Sequence, residues 1–277
     1  MDRRLTPATS RVAHLSLRGQ LDRPEYTEGT PLRVTQPLVD LLDAPCGRRD
    51  RQLWLGDDVL VIDRDQGHAF VRVAKDGYCG WLPETVIGTS SEPTHHVAGL
   101  ATHLYPEPAA RAREIASLPM GARLAVVAQR DRWAETPQGF IPSAQLAPLG
   151  EWATDPVAVA ESFVGTPYLW GGNSRAGIDC SGLVQAAHIA CGLACPADSD
   201  QQQSLGAPFA PDSALHRGDL VFWRGHVAMV TDLQTLIHAN GHSMSVAYEP
   251  IAACIARIAA QDGGAVTLRL RPAARPA

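Results

Sequence analysis

Cys180 stands where a glycine-containing loop passes into a stretch with helical character, Tyr168-Leu-Trp-Gly-Gly-Asn-Ser-Arg-Ala-Gly-Ile-Asp179-Cys180-Ser181-Gly-Leu-Val-Gln185. Two histidines follow, His226 in Gly225-His226-Val227 and His238 in Leu236-Ile237-His238. A thiol at a helix start is biased toward thiolate by the unsatisfied amides and the positive end of the helix dipole. Thiolate attacks a carbonyl carbon, a nearby histidine takes and returns the proton, and a second polar group holds that histidine's ring. Gly171, Gly172 and Gly177 let backbone approach a ligand closely. An amide at Cys180 or nearby is placed to donate to an oxyanion. This is acyl chemistry through a cysteine, and it calls for no metal or other cofactor.

Elements must bring these groups together. Asp219–Trp223, His226–Thr231 and Thr235–Ala239 read as three strands. With the turn at Asp232-Leu233-Gln234, His238 faces Ala228, and His226 lies on the same face two residues away. On that register His226 is the base nearest Cys180 and His238 its orienting partner. Upstream, Asp155 suits a helix N-cap, Pro156 the first helical position and Gly165 a stop. A second helix runs from near Cys180 to before Gly192 and offers Leu183, Val184, Ala187 and Ile189 to a core. The C-terminal half therefore reads as α+β, with helices grouped before an antiparallel sheet.

The first half carries a weak internal repeat. Leu53-Trp-Leu-Gly56 leads to Ala69-Phe70-Val-Arg-Val73 and Gly77-Tyr78-Cys-Gly-Trp81-Leu-Pro83; Leu118-Pro-Met-Gly121 leads to Arg132-Trp133-Ala134 and Gly139-Phe140-Ile141-Pro142. Short alternating runs separated by polar turns indicate small β barrels. Their order and closing strand resemble bacterial SH3-like domains, at 35–92 and 93–150, behind an N-terminal extension at 1–34.

The whole chain narrows the function. It has 277 residues and a formal net charge of -5, with no concentrated basic run, so nucleic acid is not an expected partner. No run of about 18 apolar residues marks a membrane span, and Met1-Asp-Arg-Arg-Leu-Thr does not look like a secretory signal. A cytoplasmic location is expected, with the six cysteines reduced. Five of those cysteines read as packing or surface thiols.

Tyr168 to Gln185, together with Gly225-His226-Val227 and His238, resembles the NlpC-type cell-wall peptidases, a branch of the papain-like superfamily, over about 154–272. Two SH3-like domains ahead of such a domain resemble the subgroup that cleaves the γ-D-glutamyl to diamino-acid bond of peptidoglycan stem peptides. The resemblance implies Cys180 as nucleophile, His226 as base and His238 as third polar residue. It implies Tyr168, Asp179 and Ser181 around the γ-D-Glu subsite. Pro196-Ala197-Asp198-Ser199-Asp200-Gln201-Gln202 resembles the segment at the L-Ala end, with Asp198 and Ser199 at ligand positions and Ala197 where the family often has arginine. Tyr78 matches a tyrosine that closes the cleft. The expected protein is multidomain: two small SH3-like β barrels followed by an α+β papain-like cysteine peptidase domain. Its expected partners are stem peptides of the type L-Ala-γ-D-Glu-diamino acid with a free N-terminus, met in murein peptide recycling.

Three other readings use the same residues. The third domain can be an inactive wall-peptide-binding module beside its SH3-like partners. The thiol can pass its acyl group to an amine instead of water. His188-x₂-Cys191-x₃-Cys195 and His238-x₃-His242 hold zinc-ligand types, though neither spacing matches a common structural zinc site.

Overall fold

The computed structural model describes every residue except 211, 262 and 274–277, and it divides into two compact units, Met1–Leu149 and Gly150–Ala277. In the first unit a seven-stranded antiparallel sheet runs in the order Arg49–Trp54, Leu38–Leu42, Cys79–Pro83, His68–Val73, Asp58–Asp65, Thr30–Val34 and Ile87–Gly88. Its strands alternate, burying Val59, Val61, Val71, Val73 and Leu82. A register shift between Val61 and Asp63 marks a bulge, which bends the long strand.

Thr30–Val34 belongs to this sheet, although it falls inside the segment that the sequence gives to an N-terminal extension. Pro31 hides the strand, because proline removes a ladder donor. Here one neighbour, Ile87–Gly88, reaches only Arg33 and Val34, so Pro31 has no ladder on that side.

From His95 on the strands shorten into separate small sheets, among them Ala128–Arg130, Trp133–Thr136 and Gly139–Pro142. The two copies of the repeat close alike. Pro83 leads into a 3-10 turn, Glu84–Val86, and then the strand Ile87–Gly88; Pro142 leads into Ser143–Gln145 and then Leu146–Pro148. The repeated glycines match in conformation as well, with φ of 80° at Gly56 and 85° at Gly121, a region open to glycine. These two turns also abut. A Cβ on Gly56 would lie 2.3 Å from the Arg123 carbonyl oxygen, and one on Gly121 would lie 2.6 Å from the Trp54 ring.

The second unit opens with α1 (Pro156–Ser162), whose N-cap Asp155 accepts from the Val157 amide at 2.9 Å. Next come α2 (Cys180–Ala190) and the short α3 (Ser199–Gln202). The sheet strands are β1 (Gly206–Pro208), β2 (Leu220–Trp223), β3 (His226–Val230), β4 (Thr235–Asn240), β5 (Ser245–Pro250) and β6 (Leu268–Pro272), arranged β1-β6-β2-β3-β4-β5 and antiparallel throughout. Between β5 and β6 lies α4 (Ile251–Ala260). Helices are therefore not confined to the start of this unit, which corrects the sequence reading. Ile251, Cys254 and Ile258 recur at helical spacing and pack α4 onto Val221, Trp223, Ala228, Val230 and Leu236 of the sheet. Meanwhile α2 packs on β3 and β4.

Candidate active site

The start of α2 is built by Asp179. Its Oδ1 accepts from the Gly182 amide at 2.7 Å, as an N-cap does, while its Oδ2 accepts from the Gly171 amide at 2.8 Å. One carboxylate thus fastens the glycine loop to the helix. Ser181 Oγ donates to Asp179 Oδ1 at 3.1 Å. Burial pushes the Asp179 carboxyl up, and the charge of Asp198 adds to that; the Gly182 and Gly171 amides and the Ser181 hydroxyl oppose it.

Cys180 is the first residue of α2 and only 7% exposed. Burial, and then the Asp179 charge, push its thiol up to about 12, while the backbone amides of Val227, Ser181 and Cys180 itself pull it down. The Val227 amide belongs to β3, next to His226, so α2 delivers the sulfur to the strand that carries the first histidine. Tyr168 shares this environment: burial raises its phenol, helped by the nearby Cys180 and Asp179 charges.

The β3–β4 register pairs Met229 with Ile237 and Val230 with Leu236. This is the register that a turn at Asp232–Gln234 requires. Beyond Met229 the ladder stops, and an imidazole contact spans the gap instead. His226 Nε2 lies 2.9 Å from His238 Nδ1, with ring centroids 5.1 Å apart. Burial drives both rings toward the neutral form, His226 down to about 3 and His238 to about 4. Trp223, opposite His226 across β2–β3, lies against it with ring centroids 5.6 Å apart and the planes tilted by 40°.

Two further residues join this group, and no local pattern in the sequence announces them. Glu249 on β5 sits diagonally from His238, which pairs with Ala247. Its Oε2 is 3.2 Å from His238 Nε2. Arg257 on α4 donates to both its oxygens, Nε to Oε1 at 2.8 Å and Nη2 to Oε2 at 2.6 Å. Glutamate and arginine are common on strands and helices, and only the β5–α4 turn makes partners of these two.

Asp198 and Ser199 stand at the head of α3, with Asp198 as N-cap in a capping box. Gln202, fully buried, ties α3 to α2 by donating to the Ser181 carbonyl at 2.9 Å. Asp198 is thereby held close enough to Asp179 for its charge to be felt. Cys180, His226, His238, Tyr168, Asp179, Ser181, Asp198 and Ser199 all belong to the second unit. Tyr78 belongs to the first, where its ring lies under the Arg51 guanidinium at 5.4 Å.

His238, Glu249 and Cys254 bring three metal-ligand atoms within 4.8 Å of one another. Arg257 already supplies the cation there, holding Glu249 and approaching Cys254 Sγ at 3.8 Å. His188 donates from Nδ1 to the Val184 carbonyl at 2.8 Å, the bond of a packed helix histidine.

Residues 165–256 match the NlpC/P60 family, and residues 41–87 match the bacterial dipeptidyl-peptidase Sh3 domain. A gamma-D-glutamyl-L-lysine dipeptidyl-peptidase of Bacillus cereus is 25% identical over 236 residues, covering 73% of this chain and 70% of that protein. Dipeptidyl-peptidase 6 of Lysinibacillus sphaericus is 28% identical over 215 residues, covering 68% of this chain and 79% of that protein. The crystal structure of an NlpC/P60 family protein from Bacillus cereus superposes with a TM-score of 0.74 at 21% identity, over 88% of this chain and 99% of that one, a likeness of fold. The thiol at a helix start, the histidine pair and these matches agree: the chain joins a bacterial dipeptidyl-peptidase SH3 domain at residues 41–87 to a papain-like peptidase domain of the NlpC/P60 family at residues 165–256.

Proposed function

We propose that this protein is a cysteine endopeptidase that hydrolyses the γ-D-glutamyl to diamino-acid bond of peptidoglycan stem peptides with a free N-terminal L-Ala. One observation carries the reading. The Cys180 sulfur meets the Val227 amide of β3, and the neighbouring His226 is hydrogen-bonded to His238 at 2.9 Å. In this reading His226 takes the thiol proton as sulfur attacks the γ-carbonyl carbon. The oxyanion that forms lies near the helix-start amides, including that of Cys180. His226 then gives the proton to the leaving amine as the C–N bond breaks. Water, deprotonated by His226, attacks the thioester and frees the thiol. His238 holds the His226 ring throughout.

Tyr168, Asp179 and Ser181 are assigned to the γ-D-Glu portion, and Asp198 and Ser199 to the L-Ala end. The Asp198 charge, which helps to push the Asp179 carboxyl up, supports this. Two neighbouring carboxylates favour a cation between or beside them, and the free L-Ala amine is one. The bond chosen is in keeping with relatives called gamma-D-glutamyl-L-lysine dipeptidyl-peptidases. A need for that free amine restricts the enzyme to peptides already released from the wall, so we read its role as recycling in the cytoplasm. The second copy of the repeat we read as a second SH3-like barrel, on the shared Pro, 3-10 turn and strand ending.

The test is mass spectrometry of products from L-Ala-γ-D-Glu-diamino-acid peptides, with free and with acetylated N-termini. Acetylation removes the charge that pairs with Asp198. Losing one partner of such a pair costs roughly 2–5 kcal/mol, so kcat/KM should fall about 30-fold or more. Asp198→Ala should narrow the gap by impairing the free peptide. Equal cleavage of both peptides, or digestion of intact sacculi as fast as free tripeptide, contradicts the reading.

A further inference from the structure

The histidine pair has a fixed direction, and its origin lies outside the pair. A carboxylate accepts hydrogen bonds and cannot donate them unless protonated. Arg257 grips both oxygens of Glu249 and holds its carboxyl down to about 2, so Glu249 stays ionised. At 3.2 Å from that carboxylate, His238 Nε2 must carry a hydrogen. His238 is 1% exposed and burial keeps it neutral, so it has one ring hydrogen only. Its Nδ1 is therefore bare and accepts. The partner at 2.9 Å, His226 Nε2, must then donate. His226 is held neutral too, which leaves its Nδ1 with a free lone pair.

We propose that Glu249, clamped by Arg257, is a positioning residue that sets the tautomer of both histidines and so leaves His226 Nδ1 as the basic nitrogen. The proposal rests on the cysteine peptidase reading for its consequence in catalysis, although the tautomers themselves do not depend on it. The charged and titratable groups acting on this chain are Arg257 and Cys254 of α4, His226 of β3, His238 of β4, and His242 just beyond β4. Burial and the Glu249 charge push the Cys254 thiol up to about 12, so it stays uncharged. A plain strand-to-helix ion pair would tie β5 to α4 just as well. It would not care which nitrogen of His238 bears hydrogen, and that difference is measurable.

Glu249→Gln keeps the shape and leaves one acceptor oxygen for two donors, Arg257 and His238. With the oxygen turned to Arg257, the amide nitrogen faces His238 Nε2 and favours the opposite tautomer, which passes to His226 and covers its Nδ1. Nitrogen NMR of histidine-labelled full chain should show hydrogen on Nε2 of both rings in the wild type, and the Nδ1 form in Glu249→Gln. On the tripeptide, kcat should fall about 10- to 100-fold with KM little changed. The acid limb of its pH profile should move to lower pH, because the Glu249 charge raises both histidines.

Arg257→Gln should move that limb the other way. Glu249 then protonates in the ordinary carboxylate range and can donate to His238, and the histidines lose a cation that depressed them. Opposite displacement of the two limbs supports the proposal. Hydrogen on Nδ1 of His238 in the wild type overturns it. So does Glu249→Gln with wild-type kcat, or a loss of kcat with unchanged tautomers and an unmoved limb. If the wild type cleaves no peptide, the peptidase reading falls, and the NMR result still decides the tautomers. If Glu249→Gln does not fold, the wild-type spectrum and Arg257→Gln decide.

Discussion

Opposing influences meet at Cys180. The helix start and three amides favour thiolate, while burial and Asp179 favour thiol and prevail, up to about 12. His226, down to about 3, completes a pair that rests neutral. Proton transfer thus belongs to the chemical step, and removing either partner should be severe. Cys180→Ala should lower kcat/KM about 10³-fold or more with an unchanged melting temperature, since no acyl-enzyme can form. His226→Ala should come close to that loss, and His238→Gln should retain more activity, because one side chain moves the proton and the other aims it. Steady-state kinetics on purified, folded variants checks the order; His238→Gln as the worse variant would reverse the assignments. At this scale much was legible: residue types, spacing and strand parity singled out the Asp-Cys-Ser-Gly run and the two histidines as candidates, and the family resemblance supplied their roles. Glu249 and Arg257 were not legible, because they meet through a turn from strand to helix that no local pattern announces.

The seat of α2 decides where the sulfur points. Gly182 lies in the first turn of the helix, and a Cβ there would come 2.6 Å from the Gly172 carbonyl oxygen. That neighbour is backbone of the loop that Asp179 anchors through Gly171, so it cannot step aside cheaply. Gly182→Ala should therefore destabilise the protein by about 1–3 kcal/mol, in spite of alanine's better helix propensity. It should also lower kcat by displacing Cys180. A chemical-denaturation curve beside a rate measurement checks both; a gain in stability would show that the loop yields. Element positions divide along a physical line. The N-cap at Asp155, the run of α2 and the β3–β4 register follow from capping and alternation, which are local. Strand Thr30–Val34 was masked by Pro31, and β1, β5 and β6 are edge-ward strands with mixed exposure, so their patterns are weak. Helix α4 had a readable period, yet its alanines blur the contrast between its faces.

For the molecule as a whole, buried neutral histidines make stability depend on acid. In the second unit His188, His226 and His238 are all held below the ordinary histidine value, first of all by burial. The unfolded chain then binds more protons as pH falls below about 6.5, so stability present above that pH is lost on acidification. Glu249, held low by Arg257, acts in the same sense below its own unfolded value. Asp179, pushed up, opposes them. Folding stability should fall between pH 7 and pH 4 by on the order of 2–3 kcal/mol or more, read as a lower melting temperature, and His238→Gln should flatten the drop. A melting temperature that rises on acidification would contradict the burial of these rings.

The contact between the Gly56 and Gly121 turns in the first unit has a consequence for growth by duplication. Each repeat meets the other through the same turn, so the junction is head to head and uses up the matching surface on both sides. Head-to-tail arrays can lengthen, because every added copy exposes a fresh end; a head-to-head pair has none. Beads on a string would tolerate a third copy inserted between the existing two. Here an insertion would separate Gly56 from Arg123 and Gly121 from Trp54, and would uncover an aromatic ring on one turn and a bare carbonyl on the other. The two turns of the N-terminal unit thus form a closed couple.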